Sequence, residues 1–204
     1  MLPKTLLLAL SAASTAFAVS PVGSGTWKSV SPGHSDQQCE GGKVNGNDFS
    51  LPKTANGDNS GSGCSNGHLR AERRYSNDYS SGIHQFGGQF KIKSFGGNRV
   101  SLKQTFNGDA GPYFIMGVEN SGRLYNVEGG DTIADGVAKV GSTVTINTVH
   151  NANTKKYQVY VNGDLKYTTS APGGSYYDKL GAYNTDSGTG PIDVEWTNVA
   201  FWTQ

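Results

Sequence analysis

From Trp27 onward the chain alternates apolar and polar positions in short runs, and no window of three helical turns is free of Gly, Pro or dense β-branched residues. The 3.6-residue period of an amphipathic helix never establishes itself, so the pattern predicts an all-β chain. Candidate strands cover Thr26–Val30, His68–Tyr75, Ile83–Lys93, Arg99–Phe106, Tyr113–Glu119, Arg123–Glu128, Thr143–His150, Lys155–Val161, Asp164–Thr169, Lys179–Asn184 and Ile192–Trp202. Turn signals at Gly96-Gly97-Asn98, Asn107-Gly108-Asp109, Asn120-Ser121-Gly122 and Pro172-Gly173-Gly174 separate them. The clearest hairpin runs from Tyr157 to Tyr167 around Asn162-Gly163, a pair suited to the two positive φ values of a type I′ turn. So many short strands predict two stacked antiparallel sheets, a sandwich or jelly roll, rather than a small closed barrel. The stretch from Ser31 to Gly67 reads as looser.

At the N-terminus, Lys4 is followed by the apolar run Leu6–Leu10 and by Ala16-Phe17-Ala18, the form of a secretory leader. Residues 1–18 are expected to be removed, leaving 19–204 as one secreted, extracellular domain. The leader is short for a bilayer span and no later apolar run matches it, so no membrane association is expected. The two cysteines, Cys39 and Cys64, are therefore expected to pair in an oxidising compartment. A closed loop of about 25 residues restricts the unfolded chain by about 3.5 kcal/mol in the chain-entropy account. The loop has no CxxC spacing for zinc, and Asn56-Gly57-Asp58-Asn59 reads as a turn rather than a calcium loop. The expectation is that the chain carries no metal, cofactor or N-glycan.

Composition narrows the partners. Of 204 residues only 16% are charged, and the formal net charge is +1. Lys4 is one of the 17 Lys and Arg, so its loss with the leader leaves the rest balanced against 16 acidic residues. A nucleic-acid partner is not expected, because there is no basic excess to neutralise phosphates. Recognition of an anionic partner must come from local clustering.

Such clusters exist. Period-two alternation puts His68, Arg70, Glu72 and Arg74 on one strand face, where Glu72 can orient two arginines suited to bidentate carboxylate binding. The bland reading of this segment is a solvated face, with His68 a surface histidine at a strand end. In Tyr177–Asn184, Lys179, Gly181 and Tyr183 share one face and Leu180 and Ala182 the other, with Gly181 leaving room for a ligand to approach the backbone. A third strand places Gln104 on the face of Leu102 and Phe106. His84 fits sheet packing, whereas His34 and His150 sit in loop-like contexts.

Together these segments resemble polysaccharide lyase family 7, the alginate lyase 2 superfamily. The family motif Arg–Ser/Thr–Glu–Leu/Val–Arg is similar to Arg70-Ala71-Glu72-Arg73-Arg74. Tyr-Phe-Lys-x-Gly-x-Tyr-x-Gln is similar to the segment starting at Tyr177, with Asp178 in place of Phe and Thr185 in place of the final Gln. Gln–Ile/Val–His is similar to Gln104-Thr105-Phe106, where the histidine is replaced by Phe106. The order and spacing fit from about His68 to Trp202, and the diverged motifs are more like fungal glucuronan-acting members than marine alginate lyases. The resemblance implies a concanavalin A-like β-jelly roll with a groove across its concave sheet. It implies β-elimination on a 1,4-linked polyuronate, with an anionic polysaccharide as partner and the chain acting as a monomer. It assigns Tyr183, Arg70 and Gln104 to catalysis, and Glu72, Arg74, Lys179, Tyr177 and His68 to substrate binding. Arg70 and Lys179 are expected to favour the Tyr183 phenolate, which lets one residue act as both base and acid when H5 and O4 lie on the same side of the ring.

The runner-up is a non-catalytic carbohydrate-binding protein that keeps the groove without the motif histidine. A glycoside hydrolase ranks third, because Asp193 and Glu195 share one strand and cannot flank a glycosidic bond.

Overall fold

The computed structural model describes residues 19–186 and 188–204; the expected leader, 1–18, lies outside the described residues. Those residues form fifteen strands and no helix, in two antiparallel sheets. The strands are β1 (Lys28–Val30), β2 (His34–Cys39), β3 (Lys43–Asn45), β4 (Asp48–Leu51), β5 (Arg70–Tyr75), β6 (Ile83–Phe95), β7 (Arg99–Asn107) and β8 (Gly111–Glu119). They continue as β9 (Leu124–Asn126), β10 (Thr132–Ala134), β11 (Thr143–Asn151), β12 (Lys156–Val161), β13 (Asp164–Ser170), β14 (Tyr176–Tyr183) and β15 (Ile192–Thr203). One sheet runs β13-β12-β11-β6-β15-β4-β3 with β1 added against β15; the other runs β10-β9-β8-β7-β14-β5-β2. This is the expected β-jelly roll.

The alternating strands bury one face each into a shared core between the sheets. Phe86, Phe90, Trp196 and Phe201 from the first sheet meet Leu102, Phe114, Met116, Leu180 and Ala182 from the second. Phe86 packs edge-on against Trp196 and Phe201 at 5.9 and 5.5 Å between centroids, a favoured aromatic geometry. The β12–β13 hairpin turns at Asn162 (φ 53°) and Gly163 (φ 90°), as its sequence predicts.

Several local expectations are corrected. The stretch Ser31–Gly67 contains β2, β3 and β4, whose polar composition conceals strands held by their neighbours: β2 pairs with β5, and β4 with β15. Beyond β4 the chain is irregular and is fastened to β2 by the Cys39–Cys64 disulfide. β7 gains a residue against β8 between Ser101 and Lys103, so Leu102 turns into the core and does not share the face of Gln104. His150 is not in a loop: it lies buried in β11, with Nδ1 3.0 Å from the Tyr79 hydroxyl. Burial pushes its imidazole down to about 4, so it is neutral at ordinary pH.

The core also holds an ion pair. Lys103, with no solvent exposure, reaches Asp178 Oδ1 at 2.5 Å. Asp178 also accepts from Thr105 Oγ1 at 2.8 Å and Asn77 Nδ2 at 2.8 Å. Burial alone would raise the Asp178 carboxyl, but Lys103 and these donors hold it below its usual range. Removing one partner leaves the other charge uncompensated in the core. Asp178→Leu is expected to cost about 3–5 kcal/mol in urea denaturation, and Lys103→Met with Asp178→Leu distinctly less than that single change. A single-variant cost below about 1 kcal/mol would show that the pair is not held dry.

Candidate active site

The site is assembled on one face of the second sheet, around a buried carboxylate. Glu72 on β5 is 1% exposed. Its Oε1 accepts from Gln104 Nε2 on β7 at 2.5 Å, its Oε2 is ion-paired with Arg70 Nη1, and Lys179 Nζ on β14 stands 3.7 Å from Oε2. Three donors from three adjacent strands therefore converge on one acceptor, the arrangement that makes a buried carboxylate tolerable.

β14 alternates as its sequence predicts. Lys179 and Tyr183 face the groove, while Leu180 and Ala182 enter the core. Gly181, however, makes no room for a ligand. Its φ is +137°, and a Cβ there would lie 2.2 Å from the Ala71 carbonyl oxygen and 2.9 Å from Phe49 Cδ1. The glycine is required because β5 and the core approach its backbone.

Tyr183 pairs with Arg70 across the β14–β5 ladder, and the Arg70 guanidinium lies over its ring, 4.2 Å from the centroid. The Tyr183 hydroxyl is 2.8 Å from His68 Nδ1 and accepts from Asn66 Nδ2 at 3.1 Å. His68 Nε2 in turn is 3.0 Å from Asp186 Oδ1. His68 is thus not a free surface histidine: it lies half-buried in the loop before β5, with both ring nitrogens engaged. Asp186 as acceptor at Nε2 leaves Nδ1 to accept the phenol proton.

Arg70 favours the Tyr183 phenolate as expected, but burial outweighs it. Burial pushes the Tyr183 phenol above its ordinary range, and Arg70 opposes this without changing the sign. Burial, helped by Arg70 and Arg74, lowers the Lys179 ammonium, although Glu72 works the other way. Tyr183 in the resting site is therefore a phenol with a histidine acceptor in place.

These side chains line a groove of about 380 Å³. Of the residues the resemblance assigns to catalysis or substrate binding, His68, Arg70, Gln104, Lys179 and Tyr183 line it, as does Phe106 at the position of the motif histidine. Glu72 lies beneath them. Arg74 and Tyr177 sit to one side: Arg74 pairs with Asp78 at 2.9 Å and covers the Tyr177 ring at 4.0 Å, and Tyr177 stacks on Phe106 at 5.1 Å. Asn66 and Asp186 also line the groove. They lie in loops, where no periodicity marks a facing side chain, so sequence reasoning does not reach them.

No protein-family profile matches the chain, and no curated protein matches it in sequence. Solved structures do match in fold. An alginate lyase from Pseudomonas aeruginosa superposes with a TM-score of 0.59 at 17% identity, covering 77% of this chain and 82% of that one. An alginate lyase from Corynebacterium sp. gives 0.57 at 20% identity over 80% and 81%. An alginate lyase of polysaccharide lyase family 7 gives 0.52 at 21% identity over 79% and 78%. The chain shares the jelly-roll fold of these enzymes.

Because the Gly181 backbone has no space for a side chain and a φ that L residues avoid, Gly181→Ala is expected to lower stability by about 2 kcal/mol or more. Thermal unfolding checks this; an unchanged Tm would mean that β5 and β14 can separate without cost.

Proposed function

We propose that this chain is a secreted polysaccharide lyase that cleaves a 1,4-linked polyuronate by β-elimination. The observation that carries the reading is the Tyr183 hydroxyl, bonded to His68 and set beside the Arg70–Gln104–Lys179 cluster on Glu72. The alginate lyases that share this fold give the reading its substrate class. The leader-like segment and the disulfide suit an oxidising compartment, and among the described residues no helix is long and apolar enough to cross a membrane.

In this mechanism the uronate carboxylate sits against Arg70, Gln104 and Lys179. These donors stabilise the charge that spreads onto the carboxylate when C5 loses its proton, a role for preorganised dipoles and cations rather than a cofactor. His68 Nδ1 takes the phenol proton, and the resulting Tyr183 oxygen, supported by the Asn66 amide, removes H5. The C5–H electrons form the C4–C5 double bond as the C4–O4 bond breaks, and Tyr183 returns the same proton to O4. One residue then acts as base and acid, which requires H5 and O4 on the same side of the ring. D-mannuronate and D-glucuronate meet this requirement, since they differ only at C2. Phe106, which has no proton to exchange, stands where the resemblance would place a separate base. The substrate we infer is a polymer of one of these two uronates.

Tyr183→Phe is expected to lower turnover by 10²-fold or more while leaving oligouronate affinity within about 3-fold, because the ring remains. Arg70→Ala should weaken both. Absorbance of unsaturated uronate ends and calorimetric titration measure the two quantities. A wild-type protein that binds polyuronates yet generates no unsaturated ends across a broad pH range would instead be a carbohydrate-binding protein.

The pH profile tests the electrostatics separately. Lys179 is charged below its lowered pKa, so its hold on the carboxylate weakens as pH rises through that value and KM increases. Lys179→Arg keeps its charge and is expected to move this alkaline limb upward. An unmoved limb would remove Lys179 from carboxylate binding.

A further inference from the structure

The groove has two chemically different sides, and strand order separates them. On the β5 and β14 side stand Arg70, Lys179 and Tyr183; on the β8 and β9 side stand Pro112, Ile115 and Val127, with β7 between them. Gln104 and Phe106 on β7 pair with Ile115 and Pro112 on β8, so the change from polar to apolar happens across one strand spacing. Ile115 is 4% exposed but lies outside the core cluster between the sheets, which places its side chain on the groove side. The backbone N–H of Val127 is already donated to the Ile115 carbonyl at 2.9 Å. Glu128, an exposed residue at the rim, is the polar side chain lining this side.

Phe106 does not offer a flat platform for a sugar ring. It stacks on its cross-strand neighbour Tyr177 at 5.1 Å with 22° between the planes, close to the distance between strands. The two rings therefore stand upright on the sheet and turn their edges to the groove.

The geometry of a pyranose connects these facts to a ligand. In a 1,4-linked uronate the C5 carboxylate lies on one side of the C1–C4 axis and O2 and O3 lie on the other. With the carboxylate on Arg70, Gln104 and Lys179, as proposed above, O2 and O3 face the apolar side. Free hydroxyls there would lose water and find few partners, which is unfavourable. An ester in their place would bury its methyl group and leave no donor unpaired.

We propose that this apolar side is a subsite for a small acyl ester of the O-acetyl type on O2 or O3, so that the groove selects a partly O-acylated polyuronate. The inference rests on the polyuronate reading of the same site, and on the carboxylate orientation it assigns.

The test compares a chemically O-acetylated oligouronate with the same oligomer after alkaline de-O-acetylation. Both kcat/KM from unsaturated ends and Kd from calorimetry on Tyr183→Phe are measured. The acetylated form is expected to be favoured by about 10-fold in each, the scale at which a hydrophobic pocket senses a small apolar group. Val127→Thr, of equal volume, and Pro112→Ser, at an exposed position, each place a hydroxyl beside O2 and O3. Either is expected to narrow the preference several-fold. Equal or better use of the de-acetylated form, or failure to bind either oligomer, overturns the proposal. Tighter binding of the acetylated form without any unsaturated ends from wild-type protein would sustain the subsite and reject the lyase reading.

Discussion

A single buried carboxylate organises the sheet that carries the groove. Glu72 cannot be dry and charged without partners, and its partners come from β5, β7 and β14. The same contacts that make Glu72 tolerable hold Arg70 and Gln104 still, and bring Lys179 alongside. Arg70, pinned from below, lies against the Tyr183 ring. The orientation of the cationic floor and of the tyrosine therefore follows from one desolvated acceptor. Glu72 acts through other residues and does not itself line the groove.

A second charged pair anchors the sheet from its other face. Asp178 points inward to Lys103 while its chain neighbours Tyr177 and Lys179 point outward. Where the family motif carries Phe, an aspartate fills the inward position because Lys103, Thr105 and Asn77 meet it there. The ion pair and its hydrogen bonds join β14 to β7 below the groove, and Tyr157 from the opposite sheet closes the network at 2.7 Å from Thr105 Oγ1. Gly181 permits β5 to approach closely enough for Glu72 to reach across.

The irregular segment between β4 and β5 supplies what the strands lack. Cys64 is bonded to Cys39 on β2, and the Gln38–Ser60 backbone pair fastens the same segment. Just beyond this fastening, Asn66 and His68 meet the Tyr183 hydroxyl. Phe106 provides no ring nitrogen on β7, yet the tyrosine has an imidazole beside it because a loop, not a sheet strand, provides one. The fold is that of known alginate lyases, and the imidazole against the tyrosine hydroxyl comes from the segment before β5.

What depends on local covalent geometry can be read from the residues alone. Period-two alternation is a property of any extended chain, so the common face of Arg70, Glu72 and Arg74, and that of Lys179 and Tyr183, were legible without a partner strand. So were the Asn162-Gly163 turn, whose φ values are local, and the pairing of the chain's two cysteines. Which strands become neighbours, and hence that Glu72 gathers three donors, depends on long-range packing. That packing also decided that Leu102 would leave the face of Gln104, that the polar stretch from His34 to Leu51 would form strands, and that Asn66 and Asp186 would join the site. The sign of the Tyr183 shift belongs to the same class. Neighbouring charges can be anticipated from a motif, but the desolvation that outweighs Arg70 arises only when the assembled sheet excludes water from the phenol.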